Sequence, residues 1–282
     1  MTARDDTGSI VVGIDGSTAS IDAALWAINE ALHRGVPLRL VSATNVLAAR
    51  VAEPTRSPEL TYAQNALRSA SAAITATGLP VAVQTSVCWG PPANALIAES
   101  HSATMVCVAS VGMGVIARAI LGSTAAAVAD RAHCPVAVIR PSTGTDAGNW
   151  VAVGIDGWNT GDRNVEFALA EARLRRATLV IVGLGCNGFG VNDAGRTYSR
   201  SRIWAERNPD IELETAVTSG GLADFLADEH AELSRRHPPA ELASNIPLAV
   251  IGSEDVTELP RLIGPHDGGL LTHARCAAMV VR

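Results

Sequence analysis

The segment IVVGIDGSTASIDAALWAINEALHRG, residues 10–35, decides the fold. It opens with a short apolar run, IVVGI at 10–14, which is typical of a β-strand covered on both faces. Ser17, Thr18 and Ser20 then offer side-chain caps for a helix. We expect this helix to run to about Arg34 and to end at Gly35, since glycine is common just after helices. A strand followed at once by a helix predicts half of a parallel βαβ unit.

The same alternation of short apolar runs and helical patterns continues to residue 140. The further predicted strands are LRLVSA (38–43), VAVQTSV (81–87), MVCVA (105–109) and VAVI (136–139), and the helices are predicted from Pro58 to Gly78, from Pro91 or Pro92, and from Ser123 to His133. This pattern predicts a doubly wound, Rossmann-like α/β domain with a five-stranded parallel sheet. Such domains bind ligands beyond the carboxyl ends of their strands, where the strand order reverses.

The second half of the sequence repeats the first. VVGIDGS at 11–17 returns within VAVGIDGW at 151–158, and the same offset of 141 residues carries Glu30 onto Glu171 in the next predicted helix. A fixed offset of this length is the signature of two copies of one domain.

We therefore predict two tandem domains, at 1–142 and 150–282, joined by a polar linker at 143–149. The second domain has predicted strands near 151–155, 178–184, 212–218, 247–252 and 278–281.

Charge and composition exclude several classes of function. The 282 residues carry a net charge of -6, and no arginine stripe is present, so nucleic acid and anionic membrane surfaces are poor partners. All 22 basic residues are arginine, which excludes mechanisms that need a lysine. Residues 1–148 carry -1 and residues 149–282 carry -5, so a polyanionic ligand should prefer the first half.

Neither the cysteines nor the seven histidines suggest a metal site. The cysteines, which lack C-x2-C spacing, are Cys88, Cys107, Cys134, Cys186 and Cys276. We expect them to be reduced thiols in a cytoplasmic protein. The polar amino terminus and the absence of a long apolar run predict a soluble, intracellular chain.

The loop after the fourth predicted strand carries the strongest functional pattern. Within ASVGMGVIARAILGST, residues 109–124, Ala109 is followed by Gly112 and then, after a gap of nine residues, by Gly122 and Ser123. Glycines let backbone N–H groups approach phosphate oxygens, and a helix that starts at Ser123 would present free N–H groups and a favourable dipole. With no lysine, these dipoles, Arg118 or a bound Mg²⁺ would offset the phosphate charge.

This segment closely resembles the nucleotide loop of universal stress proteins, whose pattern is Gly-x2-Gly-x9-Gly followed by Ser or Thr. Ala109 replaces the first glycine. The VGIDGS opening and the Cys-Pro-Val before the last strand of the first copy also resemble that family, so the resemblance covers essentially the whole of the first domain.

The resemblance implies that the first domain binds ATP, with Asp15 facing the adenine and the backbone of Ala43 along its edge. The residues expected to hold the nucleotide are Gly13, Asp15, Ala43, Ala109, Gly112, Gly114, Arg118, Gly122, Ser123 and Thr124. Simpler roles stay open: Gly112 and Gly114 as a plain turn, and Ser123 or Asp15 as a helix cap. The resemblance also implies an internal pseudo-dimer paired through 135–140 and 277–282, with homodimerisation left open.

The second copy lacks most of the loop pattern. Asp255 stands at the position of Gly112, the following gap holds eight residues, and Pro265 follows Gly264 where Ser123 follows Gly122. A carboxylate repels phosphate, and proline removes both an N–H and a hydroxyl. Trp158 replaces Ser17, where its indole would either fill the adenine space or lie on the surface. We predict one nucleotide per chain.

No Walker A loop or other phosphate-transfer signature is present. We therefore expect a nucleotide-dependent regulatory protein involved in stress responses rather than an enzyme. The alternatives are a weak ATP hydrolase, an autophosphorylating switch that uses Ser123 or Thr124, and a nucleotide-free interaction scaffold.

Overall fold

The computed structural model describes residues 8–44, 57–111, 121–140, 150–155, 161–185, 191–227, 248–263 and 277–282. The chain divides into two compact units, Met1–Pro141 with Arg282 and Ser142–Val281. Each unit is a layered α/β structure built on its own set of parallel strands.

Unit 1 alternates strands and helices as the sequence predicts. Its elements are β1 (Ile10–Gly13), α1 (Thr18–Arg34), β2 (Leu38–Thr44), α2 (Pro58–Ala76), β3 (Val83–Trp89), α3 (Pro92–Glu99), β4 (Met105–Ala109), α4 (Ser123–Arg131) and β5 (Val136–Ile139). The strand order is β3-β2-β1-β4-β5, and all pairs are parallel. The order reverses between β1 and β4, which confirms the predicted doubly wound fold and places the ligand-binding edge beside these two strands.

Helix α1 shows how local sequence and packing agree. Ser17 accepts a hydrogen bond from the Ser20 N–H at 3.2 Å and caps the helix, while Gly35 ends it with φ 65°, in the left-handed region. The helix packs alanines onto the sheet. Two polar residues of α1, Ser20 and Glu30, are also buried, and Glu30 pairs with Arg34 of the next turn at 3.1 Å.

Four predicted boundaries in unit 1 were wrong by two residues. Two of them are ends: the third strand ends at Trp89 rather than at residue 87, and α2 ends at Ala76 rather than at Gly78. The third strand begins at Val83 rather than at residue 81, because the Val81 N–H donates to the Leu79 carbonyl within a turn. Helix α4 ends at Arg131 rather than His133, because the His133 N–H leaves the helix and donates to Ser100 Oγ at 2.9 Å.

Unit 2 repeats this plan. Its elements are β6 (Trp150–Ile155), α5 (Gly161–Arg175), β7 (Thr178–Gly183), α6 (Val191–Arg207), β8 (Leu213–Val217), α7 (Leu222–Ala227), β9 (Leu248–Gly252), a 3₁₀ segment (Ser253–Glu258), α8 (Leu259–Ile263) and β10 (Ala277–Val281). The parallel strand order is β8-β7-β6-β9-β10. Each predicted strand lies within one residue of its observed bounds.

A buried glutamate of unit 1 and its arginine partner have a counterpart in unit 2. Glu171 of α5, which the sequence offset pairs with Glu30, is also fully buried and also pairs with the arginine four residues later, Arg175. The predicted linker at 143–149 and the residues Asp156, Trp158 and Pro265 lie outside the described residues. None of the helices in the described ranges is long and apolar enough to cross a membrane.

Candidate functional site

A cavity of about 710 Å³ opens at the carboxyl ends of β1, β2 and β4 in unit 1. Its volume is typical of small-molecule sites, and it lies at the strand-order reversal. The lining comes from the ends of these strands, the start of α2, α3, and the start of α4, and it comprises Gly13, Ile14, Asp15, Ser20, Val41, Ser42, Ala43, Thr44, Pro58, Glu59, Tyr62, Ala63, Pro92, Leu96, Val108, Ala109, Val111, Gly122, Ser123, Thr124 and Ala125.

The structure brings seven of the ten predicted nucleotide-binding residues to this one cavity. They are Gly13, Asp15, Ala43, Ala109, Gly122, Ser123 and Thr124. The other three, Gly112, Gly114 and Arg118, lie outside the described residues, and their roles stay predictions.

Asp15 is held in place by the turn that joins β1 to α1. Its Oδ1 accepts from the Ser17 N–H at 2.9 Å and from the Ser17 hydroxyl at 2.6 Å. The first-turn N–H of Ser20 is capped by Ser17 and not by Asp15. The carboxylate is therefore oriented at the cavity wall by two short-range hydrogen bonds.

The start of α4 forms the polar end of the cavity. Gly122 is the N-cap residue, at φ -66° and ψ 143°, and it provides no side-chain cap. Its own N–H donates to the Ser110 carbonyl at 2.7 Å, and the first intrahelical bond runs from the Ala126 N–H to the Gly122 carbonyl at 2.9 Å. The N–H groups of residues 123–125 precede that bond, so they have no acceptor within the helix. An anion at this end of the cavity would meet these donors and the positive end of the helix dipole.

The cavity lining also includes buried hydroxyl residues, among them Ser20, Ser42 and Thr44. Thr44, the last residue of β2, is 6% exposed, and its Oγ1 has no hydrogen-bond partner among the described residues. Gly13 has a packing role: a Cβ at this position would lie 2.9 Å from Leu96 Cδ1, so glycine lets α3 approach β1.

Sequence reasoning missed the contribution of α2. Tyr62 lines the cavity and its hydroxyl donates to the Asp15 carbonyl oxygen at 3.0 Å, while Glu59 lies one turn earlier. The position of α2 in the sequence could have indicated this contribution. The helix was predicted to start at Pro58, after β2, so its first turns were expected to lie near the carboxyl ends of the strands.

No group of three or more His, Cys, Asp or Glu side chains among the described residues is arranged to hold a metal ion. Cys107 and Cys134 are buried and Cys88 is partly buried, and all three are reduced thiols. Burial raises the pKa of the Cys134 thiol to about 11.

In unit 2 the corresponding region is crowded by carboxylates. The 3₁₀ segment after β9 carries Glu254, Asp255 and Glu258. Glu258 accepts from the Ala223 N–H at 3.3 Å, and a Cβ on Gly252 would lie 2.3 Å from the Glu254 carboxylate. Acidic side chains therefore lie against the backbone near the end of β9, where a phosphate would be repelled.

The family model and the relatives that match this chain carry the same family description. A family model described as the universal stress protein family matches residues 7–140. The chain is 39% identical to universal stress protein Rv2624c of Mycobacterium tuberculosis (strain ATCC 25618 / H37Rv), with 97% of this chain and 96% of the relative covered. It is 34% identical to universal stress protein Rv2028c of the same strain, with 97% and 95% covered.

A solved structure with the same fold spans both units. The crystal structure of a universal stress protein from Archaeoglobus fulgidus DSM 4304 matches with a TM-score of 0.70 at 16% identity, covering 97% of this chain and 96% of that chain. The family match and the extent of the sequence identity to the mycobacterial relatives lead to one conclusion: the chain belongs to the universal stress protein family.

Proposed function

We propose that the cavity of unit 1 binds an adenine nucleotide, ATP in particular, and that the protein is a nucleotide-dependent regulator in a stress response. One observation carries the proposal: seven residues predicted from the sequence pattern, drawn from four separate segments, line one cavity. Such a cavity, with a few convergent polar groups, is the usual form of a small-molecule site.

The two ends of the cavity suit the two ends of a nucleotide. The uncapped start of α4, with Gly122 and Ser123, supplies N–H and hydroxyl donors for phosphate oxygens. Asp15 and the backbone of Ala43 lie at the ends of neighbouring strands, where they would contact the base or sugar. Arg118 is proposed as a further phosphate contact, and Mg²⁺ as a companion of the phosphates.

We propose binding rather than turnover as the main activity. Ser123 and Thr124 line the cavity as hydroxyl groups, which makes autophosphorylation the alternative to be tested. Incubation with ATP radiolabelled at the γ-phosphate separates the two: labelled protein would support the switch, released phosphate a hydrolase, and unchanged ATP a binding protein.

The direct test of binding is calorimetric titration of the full chain with ATP, AMP and ADP, with native mass spectrometry of the purified protein. Repeating the titration with EDTA in place of Mg²⁺ shows whether the metal contributes. The absence of binding by every adenine nucleotide would leave the scaffold alternative. The pairing of the two domains through their last strands stays a prediction, which independent tumbling in small-angle scattering would contradict.

A further inference from the structure

Tyr62 occupies an unusual position for a large aromatic side chain. It lies near the start of α2, lines the cavity of unit 1 and is 46% exposed. Its hydroxyl donates to the Asp15 carbonyl at 3.0 Å, so the side chain connects α2 to the loop after β1. A ring of this kind, half exposed beside an apolar cavity, still has apolar area that a ligand can cover.

The backbone opposite Tyr62 leaves space for the tyrosine side chain because residue 16 is glycine. Gly16 has φ 88°, in the left-handed region, and a Cβ at this position would lie 2.4 Å from the Tyr62 hydroxyl oxygen and 3.0 Å from Cζ. Any other residue at 16 would therefore push the tyrosine away. With its hydroxyl bonded and only two side-chain torsions, the ring has little freedom left to lose when a ligand binds.

The part of the cavity wall that α3 provides is aliphatic, with Pro92 and Leu96. Right-handed crossovers place the helices that follow β1 and β2 on one face of the sheet, and those that follow β3 and β4 on the other. In agreement, α1 packs against α2, and α3 packs against α4. Tyr62 of α2 and Pro92 and Leu96 of α3 thus flank the cavity from opposite faces of the sheet.

We propose that Tyr62 packs against the nucleobase and gives the site a preference for purines; this inference rests on the nucleotide site proposed above. A planar base between the two walls would meet an aromatic face on one side and an aliphatic surface on the other. Two fused rings overlap a phenol more than one ring does, so adenine gains more from Tyr62 than cytosine does. Removal of an aromatic ring that stacks on a base weakens binding by about five- to hundredfold.

The experiment uses the full chain and compares wild type with Tyr62→Phe, Tyr62→Ala and Tyr198→Ala. Tyr198 is the matched control, because it is the other tyrosine of the chain, lies on α6 of unit 2 and is 43% exposed. Each protein is titrated calorimetrically with AMP, ATP and CMP after its melting temperature has been measured.

We expect Tyr62→Ala to bind both AMP and ATP with about tenfold lower affinity than wild type, and to lose less affinity for CMP. The losses for AMP and ATP should be equal because the two ligands share the base. A phosphate-end variant, Ser123→Ala, should instead weaken ATP more than AMP. Tyr62→Phe should stay within about threefold of wild type, since it keeps the ring, and Tyr198→Ala should not change affinity.

The outcomes separate this inference from the function on which it rests. Wild-type binding of ATP together with unchanged affinity in Tyr62→Ala overturns the role of Tyr62 and leaves the nucleotide site standing. A wild-type protein that binds neither AMP nor ATP overturns both. If Tyr62→Ala does not fold, Tyr62→Leu takes its place: it keeps apolar bulk without an aromatic face, and an unchanged purine preference in that variant also overturns the inference.

Discussion

The hydroxyl of Ser17 lies 2.6 Å from Oδ1 of Asp15 while the same oxygen of Ser17 accepts from the Ser20 N–H. One side chain therefore caps α1 and orients the carboxylate at the cavity wall. Helix stability and site geometry are coupled through this single hydroxyl.

Ser17→Ala should affect both stability and binding. Loss of the N-cap costs about 1 kcal/mol of unfolding free energy, to be measured by urea denaturation. ATP affinity should fall as well, because Asp15 loses one of its two hydrogen bonds from residue 17. Ser17→Thr is the control, since it keeps the hydroxyl. An Ala variant that loses stability with unchanged ATP affinity would show that Asp15 does not contact the ligand.

Gly122→Val should remove ATP binding without unfolding the protein. The glycine has φ -66°, which any residue can adopt, so the backbone tolerates the change while a branched side chain enters the start of α4. We expect more than about a tenfold loss of affinity in calorimetry. Gly195→Val, in helix α6 with nothing near its Cβ position, is the matched control. ATP affinity within about twofold of wild type would place the phosphates elsewhere.

Native mass spectrometry with excess ATP should show one nucleotide per chain. The carboxylates that follow β9, among them Asp255, disfavour phosphate in unit 2. The restoring variant combines Asp255→Gly and Pro265→Ser with one residue inserted into the loop, and a second nucleotide should then begin to bind. Two equivalent nucleotides on the wild-type chain would contradict the proposed division of roles.

Thr44→Val should stabilise the ligand-free protein by about 1 kcal/mol. The buried Thr44 hydroxyl has no hydrogen-bond partner among the described residues, so its desolvation is not offset by a bond to them. The measurement is the urea midpoint of unfolding. Thr85→Val, on the exposed side of β3, controls for the general preference of valine for strands. A loss of stability in Thr44→Val would mean that the hydroxyl has a partner.

The Cys134 thiol should make stability fall with rising pH in a defined window. Burial raises its pKa from 9.0 to about 11, so the folded state holds the proton more tightly than the unfolded state. The contribution of the Cys134 thiol to the free energy of unfolding is therefore complete below pH 9 and is lost as the pH rises to 11. Unfolding curves between pH 8 and 11 should show this decline in wild type and a weaker one in Cys134→Ala. Parallel pH profiles for the two proteins would contradict the assignment.

The local sequence pattern was sufficient to predict the bounds of those elements that are specified by their own residues. The strands β4 and β5 were predicted at their observed bounds, and α1 ends at Gly35 as predicted. Of the three caps that the sequence offered, Ser17, Thr18 and Ser20, the helix uses Ser17. The start of β3 was misplaced because its register depends on pairing with β2, a long-range contact that an apolar run does not encode.

In the candidate site, too, some residues could be predicted from the local sequence and others depend on long-range contacts. Gly122 and Ser123 follow a spacing that the local sequence displays, and their place in the lining of the cavity could be predicted, whereas Gly112 and Gly114 stay predictions. Tyr62 could not, because its part in the cavity depends on a hydrogen bond to Asp15, 47 residues away in the chain, and on the left-handed turn at Gly16. Contacts of this kind become visible only when the chain is folded.

The buried acids Glu30 and Glu171, each paired with the partly exposed arginine of the next turn, also bear on how such a molecule changes over generations. Removal of one partner from such a pair leaves a buried carboxylate less well compensated and is destabilising. Selection should therefore remove single mutations at these positions, whereas mutations in the loop after the fourth strand leave these pairs unaffected. After duplication of an ancestral gene, selection would hold both helices fixed and leave one half free to lose its ligand and acquire another role.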